Sequence, residues 1–167
     1  NDVNDGGIVL GKTRSTSNGG NDAVIAGDDL GTITFAGSDG TTLQFGAEIL
    51  AEVQSGIGTD DLPTDLIFKT NGGATSTAER LRIESNGRIA VGGFSGASND
   101  LHIKTASSPT IRLEDTTNTC VLLSYAQNSN AHVGTYSNHD LIFDTNSTER
   151  LRIKSNGAIG FDGENYG

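Results

Sequence analysis

The phrase ERLRIESNGRIAVGG, Glu79–Gly93, returns little changed as ERLRIKSNGAIGFDG, Glu149–Gly163. Leu81, Ile83, Ile89 and Val91 alternate with Arg80, Arg82, Glu84, Arg88 and Ala90. Such period-2 alternation predicts half-buried strands. Ser-Asn-Gly interrupts it. A two-residue Asn-Gly loop would put Ile83 and Ile89 on opposite faces. A three-residue Ser-Asn-Gly loop pairs Glu84 with Arg88, Ile83 with Ile89 and Leu81 with Val91, so all four apolar residues share one face. The second copy then pairs Ile153 with Ile159 and Leu151 with Phe161. Asn86-Gly87 and Asn156-Gly157 form the turns, with each glycine in the left-handed region. A Glu84–Arg88 ion pair across the first hairpin is expected to add about 0.2–1 kcal/mol. Lys154 and Ala158 hold those places in the second copy, so the pair is dispensable.

Composition limits how such hairpins become stable. The chain has 167 residues, 23 glycines, no Trp or Met and few large aliphatics. A single chain of this kind has a thin core, which is remedied by staples or by burial between chains. Cys120 is the only cysteine, so no intrachain disulfide can form; in CVLLSY it reads as a buried, inert thiol. Oligomerisation is the expected remedy. A formal charge of −10 argues against nucleic acid and against docking on anionic lipid. No apolar run has transmembrane length, so no membrane insertion is expected. The chain starts at Asn1 and shows no signal peptide; it reads as a segment or processed product of something longer.

Two units are expected, 1–93 and 94–167, each ended by the phrase. In the first, GIVLGK, AVIAGDD, LGTITFAGSDG and DLIFKT read as strands. Residues 42–55 are open between strand and helix: Ala47, Ile49, Ala51 and Val53 alternate, but Ile49 and Val53 are also four apart. The strand neighbours favour strand. GGFSGASND, Gly92–Asp100, reads as a linker or tight crossing. In the second unit DLHIKT, TIRLED, CVLLSY and HVGTY read as strands. DLIFDTN at Asp140 then repeats DLIFKTN at Asp65. The offset is 75 there and 70 at the phrase, so five residues are missing from the intervening turn of the second copy.

LGTITFAGSDG, AEILAEVQSGIGTDDLPTDLIFKT and ERLRIESNGRIAVGG resemble repeat segments of bacteriophage tail-fibre and related virion appendage proteins. LHIKTASSPTIRLEDT is similar to the opening of a second repeat type of those proteins, and the closing NYG to a join before their downstream regions. The resemblance implies a virion location, a shaft or middle position, and a fibrous, intertwined homotrimer partnered by adjoining fibre or virion proteins. Phe161 departs from the small aliphatic that usually ends the phrase, which implies a wider core there. The expected fold is all-β, short antiparallel strands and hairpins in two non-identical modules. Leu81, Ile83, Ile89 and Val91, with Leu151, Ile153, Ile159 and Phe161, are the expected trimer core. A bacterial adhesin stalk or self-assembling filament is the alternative, with an extracellular or cell-surface location; a polysaccharide-degrading tailspike segment ranks third.

No constellation for catalysis stands out, and neither an enzyme activity nor a cofactor is expected. His102, His132 and His139 are scattered and read as surface or satisfied histidines. Asp28-Asp29 and Asp60-Asp61 leave calcium open, with solvated turns favoured. Glu114 and Asp115 are adjacent in a strand and point to opposite faces, which suits no acid–base pair. Asn146 begins a sequon read as coincidence. Arg80, Arg82, Arg150 and Arg152 share a face by alternation and are expected to point outward, toward acidic groups of another chain or water. The scarcity of aromatics leaves no receptor surface visible.

Overall fold

The computed structural model describes residues 7–161. It is all-β, with no helix among the described residues and mainly antiparallel strands. The chain divides into two compact units, one ending at Lys104 and one beginning at Thr105.

The first unit is a six-stranded sheet with its strands in chain order: β1 (Asp29–Ser38), β2 (Leu43–Val53), β3 (Thr64–Thr70), β4 (Ala78–Ile83), β5 (Ile89–Val91) and β6 (Leu101–Ile103). Residues 42–55 are resolved in favour of strand, because β2 pairs with β1 along nearly all its length and with β3 over Ala47–Val53, so neighbours satisfy its backbone groups. Two other expectations fail: GIVLGK forms no strand, and of AVIAGDD only Asp29 is in one, the rest leading through a turn at Ala26-Gly27. The unit also runs past residue 93, because β6 pairs in parallel with β5 after a tight crossing through residues 92–100. Lys104 N–H donates to the Val91 carbonyl at 2.9 Å and Ile89 N–H to that of Asp100 at 2.8 Å.

The second unit holds two three-stranded sheets. One is β7 (Thr110–Asp115), β8 (Cys120–Gln127) and β9 (Asn130–Thr135); the other is β10 (Leu141–Thr145), β11 (Thr148–Ile153) and β12 (Ile159–Phe161). β10–β12 take the same register as β3–β5, including a bulge after Phe143 where β3 has one after Phe68. The five missing residues lie in the turn. Residues 71–77 join β3 to β4, whereas Asn146-Ser147 alone join β10 to β11, at φ of 51° and 57°. Two positive φ values mark the tight hairpin turn whose twist suits its strands.

Both hairpins adopt the three-residue register. Leu81 pairs with Val91 and Ile83 with Ile89; Leu151 pairs with Phe161 and Ile153 with Ile159. Gly87 has φ 85° and Gly157 φ 89°. Asn86 Oδ1 accepts from Arg88 N–H at 2.9 Å and Asn156 Oδ1 from Ala158 N–H at 3.0 Å. The asparagine thus closes the turn through its side chain, and the glycine supplies the left-handed step. Nothing lies within 4 Å of where a Gly87 Cβ would sit, so a side chain there meets backbone strain rather than a clash. We therefore expect Gly87→Val to cost about 2 kcal/mol, more than Arg88→Ala, in urea unfolding; an equal or smaller loss would show that the turn tolerates a Cβ.

Candidate functional site: an open apolar face backed by an ion cluster

Strand pairing lines up the side chains of the first sheet in rows. One row is Ala51, Leu66, Ile83, Ile89 and Leu101; the next is Ile33, Ile49, Phe68, Leu81, Val91 and Ile103. Successive residues alternate faces, so both rows lie on the same face. It is apolar across six strands, yet none of these residues is buried within the chain, and Ile33, Leu66, Ile83 and Leu101 are exposed. β10–β12 repeat the arrangement in two rows, Leu141–Ile153–Ile159 and Phe143–Leu151–Phe161, with Phe143, Ile159 and Phe161 exposed. All eight residues expected in a trimer core stand on these faces.

The opposite face of the first sheet is the buried one. Its central row is Leu50, Ile67, Arg82 and Ala90, with Ile67 only 1% and Arg82 7% exposed. This corrects the reading of Arg82 as an outward residue. Its guanidinium meets three carboxylates of its own unit: Nη1 bonds Asp65 Oδ2 at 2.7 Å and Glu52 Oε1 at 3.0 Å, and Nη2 bonds Glu79 Oε2 at 2.7 Å. Asp65 also accepts from Ser85 N–H at 2.8 Å, tying the cluster to the start of the turn. Among the described residues no buried side-chain nitrogen or oxygen lacks a partner. Planar, forked donors suit this role, since several carboxylates can be held at once.

The second copy keeps the core of this device. Arg152 Nη1 bonds Asp140 Oδ2 at 2.6 Å, Nη2 pairs with Glu149, and Ser155 N–H donates to Asp140 at 2.9 Å. Among the described residues no strand pairs with the outer edge of β10 to supply a partner in the place of Glu52, and Arg152 is correspondingly more open. Arg152 too therefore turns to its own unit. Arg80 and Arg150 are exposed and reach Thr70 and Thr145 at 3.0 and 2.9 Å. The repeated Asp, Glu and Arg thus meet in space, a purpose that alternation alone did not disclose; the signal was the shared Asp65/Asp140, Glu79/Glu149 and Arg82/Arg152.

Glu84 and Arg88 do not form the expected ion pair. The Glu84 carboxylate accepts from Gly96 and Ala97 N–H at 2.5 and 2.8 Å, and Arg88 donates to the Ala97 carbonyl at 2.8 Å. Two backbone donors in a tight crossing out-compete one flexible cation, and they hold Glu84 below the usual carboxylate range, the Ala97 N–H first. Lys154 and Ala158, which hold those places in the second copy, cannot make these contacts.

The remaining candidates are dispersed. Asp28 is buried under Arg14 and Lys12 and also accepts from Ile25 N–H; the Arg14 hydrogen bonds above all hold it well below the usual range. Asp60 and Asp61 lie exposed in a turn, Asp60 at φ 57°. Glu114 pairs with Arg112, whereas Asp115 caps the turn at Thr117 and Asn118. His102 meets Phe94 edge-on, His132 stacks on Tyr125 with ring centres 4.4 Å apart, and His139 bonds Ser137. Cys120 is half-buried. Among the described residues no three His, Cys, Asp or Glu gather as a metal site would require. NYG lies outside the described residues.

No protein-family model matches the chain, and no curated protein sequence does. Among solved structures, the chain is similar to the carboxy-terminal domain of the bacteriophage T5 L-shaped tail fibre. The identity is 11% and the TM-score 0.46, over 100% of this chain and 90% of that one.

Removing Arg82 would leave three carboxylates facing one another around a buried site, with Asp65 the most enclosed. Arg82→Met is expected to destabilise the fold by about 3–5 kcal/mol, and Arg152→Met by clearly less, in urea unfolding; equal losses would show that burial does not separate the two clusters. Acid should act on the same groups. Burial pushes Glu52 up, but hydrogen bonds from Arg82 and Gln54 outweigh it and leave its pKa lowered. Asp140 and Glu149 are lowered chiefly by Arg152. Each contributes stability that is complete above the unfolded carboxylate range, about pH 4, and is lost as pH falls through the lowered folded value. At 0.15 M salt, where surface repulsion is largely screened, the urea midpoint should fall steadily from about pH 5 to pH 2. A midpoint that holds or rises on acidification contradicts this.

Proposed function

We propose that this chain is a structural shaft or connector segment of a phage tail fibre or other virion appendage, built as a parallel homotrimer. Its two phrase-bearing modules place their apolar faces around a common axis, and the chain performs no catalysis. It supports host attachment by transmitting geometry between its neighbours in the appendage, its partners being itself and adjoining fibre or virion proteins. The observation that carries this reading is the open face: the first unit buries the central arginine row of its sheet and leaves two apolar rows half-buried or exposed, and β10–β12 repeat those apolar rows. A sheet normally does the reverse, because apolar area leaving water contributes about 25 cal/mol per Å². The reversal is economical only when another surface closes the apolar side. The resemblance of the repeated phrase to tail-fibre segments supports the biological setting.

A threefold arrangement lets each copy close part of its neighbour's face, and the acidic charge remains outside to oppose lateral association.

The test is mass in solution by sedimentation equilibrium, with Ile83→Asp and Ile153→Asp as variants. The wild type should have three times the chain mass, and the double variant should dissociate. A stable folded single chain, or a trimer unaffected by both aspartates, would overturn the proposal.

A further inference from the structure

Ile8 and Val9 are 92% and 90% exposed, the most open large apolar side chains among the described residues. They belong to a segment that is held at its base. Lys12 and Arg14 both bond the buried Asp28, at 2.9 and 2.7 Å. Leu10 lies over Gly31: a Cβ on Gly31 would sit 2.5 Å from the Leu10 Cβ and 3.1 Å from its Cδ1. Gly31 pairs with Ala51 and alternates in phase with Ile33, so its vacant side-chain position opens onto the apolar face. The segment therefore enters that face at the outermost strand, fills a space that only glycine leaves, and departs with two bare aliphatics. The ion pairs fix the base of the arm, and nothing in its own unit covers Ile8 or Val9.

Copies related by rotation about an axis carry equivalent residues at the same height along it. An arm leaving the face at β1 meets its neighbour at the height of the neighbour's β1. Ile33 and Phe35 stand there on the same open face, 50% and 57% exposed, on a strand whose outer edge has no partner among the described residues. Two surfaces short of apolar cover thus occur at one level of the assembly. We propose that Ile8 and Val9 of each chain pack on Ile33 and Phe35 of the next copy, an exchanged arm that locks the trimer at this level. The inference rests on the trimeric reading above and adds to it the residues that join one copy to the next.

The experiment uses two full-length chains, both carrying Cys120→Ser. One carries Val9→Cys and the other Phe35→Cys. They are co-refolded, oxidised and run on a non-reducing denaturing gel, which distinguishes a mixed disulfide from either homodimer when one chain carries a small mass tag. A mixed disulfide between the chains is expected. In parallel, Ile8→Asp with Val9→Asp in the otherwise native chain should weaken trimer association by about tenfold or more, while circular dichroism of the sheets stays unchanged. A protein of trimeric mass that forms no mixed disulfide, or whose association ignores the two aspartates, overturns the arm and leaves the trimer standing. A protein of single-chain mass overturns the trimer itself.

Discussion

Arg82 gathers carboxylates from β2, β3 and β4 onto one side of the first sheet, and the orientation of everything else follows. A guanidinium held away from water needs carboxylate partners, and Glu52, Asp65 and Glu79 supply them here. Those three residues must therefore turn toward the same side as Leu50 and Ile67. Strand alternation then sends Leu66, Phe68, Leu81 and Ile83 to the other side. A sheet has two faces and a short chain has little with which to cover both. Here the covered row is the one whose exposure would disrupt an ion cluster, and the apolar rows are left open. Arg152 gathers Asp140 and Glu149 on the corresponding side of β10–β12, where it and Ile142 stay partly open.

The turn and the cluster are one construction. Asp65 accepts from Ser85 N–H while it holds Arg82, and Asp140 does the same for Ser155 and Arg152. The hairpin loop is thereby fastened to the strand before it, which explains why DLIF and the phrase recur together and not separately. The loop between them is free to change length because no group in the cluster lies within it. Glu84 marks the difference between the copies. In the first it captures the crossing that leads into β6, and in the second a lysine stands in its place.

The hairpin register was legible because only one loop length puts Ile83 and Ile89 on one face, and because Asn-Gly names its own turn chemistry. The shortened second turn was legible from offsets alone. Which face turns inward was not. Alternation separates apolar from charged residues but does not say that the charged row is the buried one; Arg82 shows this only once Glu52 and Asp65, 30 and 17 positions away, are seen beside it. β6 was placed in the wrong unit because a parallel partner reached through a crossing carries no local signal. GIVLGK was read as a strand because its composition is that of one. It pairs with no strand among the described residues, and its leucine is instead matched to a missing side chain at Gly31.

The closed apolar face is tested most directly by oxidative footprinting of the protein in dilute solution. Hydroxyl radicals label side chains that water can reach. Leu66, Ile83 and Leu101, all exposed in the single chain, should be labelled far less than Leu62, which is open there and lies away from the apolar rows, once each is scaled to its intrinsic reactivity. Labelling of these residues at the level of Leu62 would mean that the face stands open to water, and that no second copy covers it.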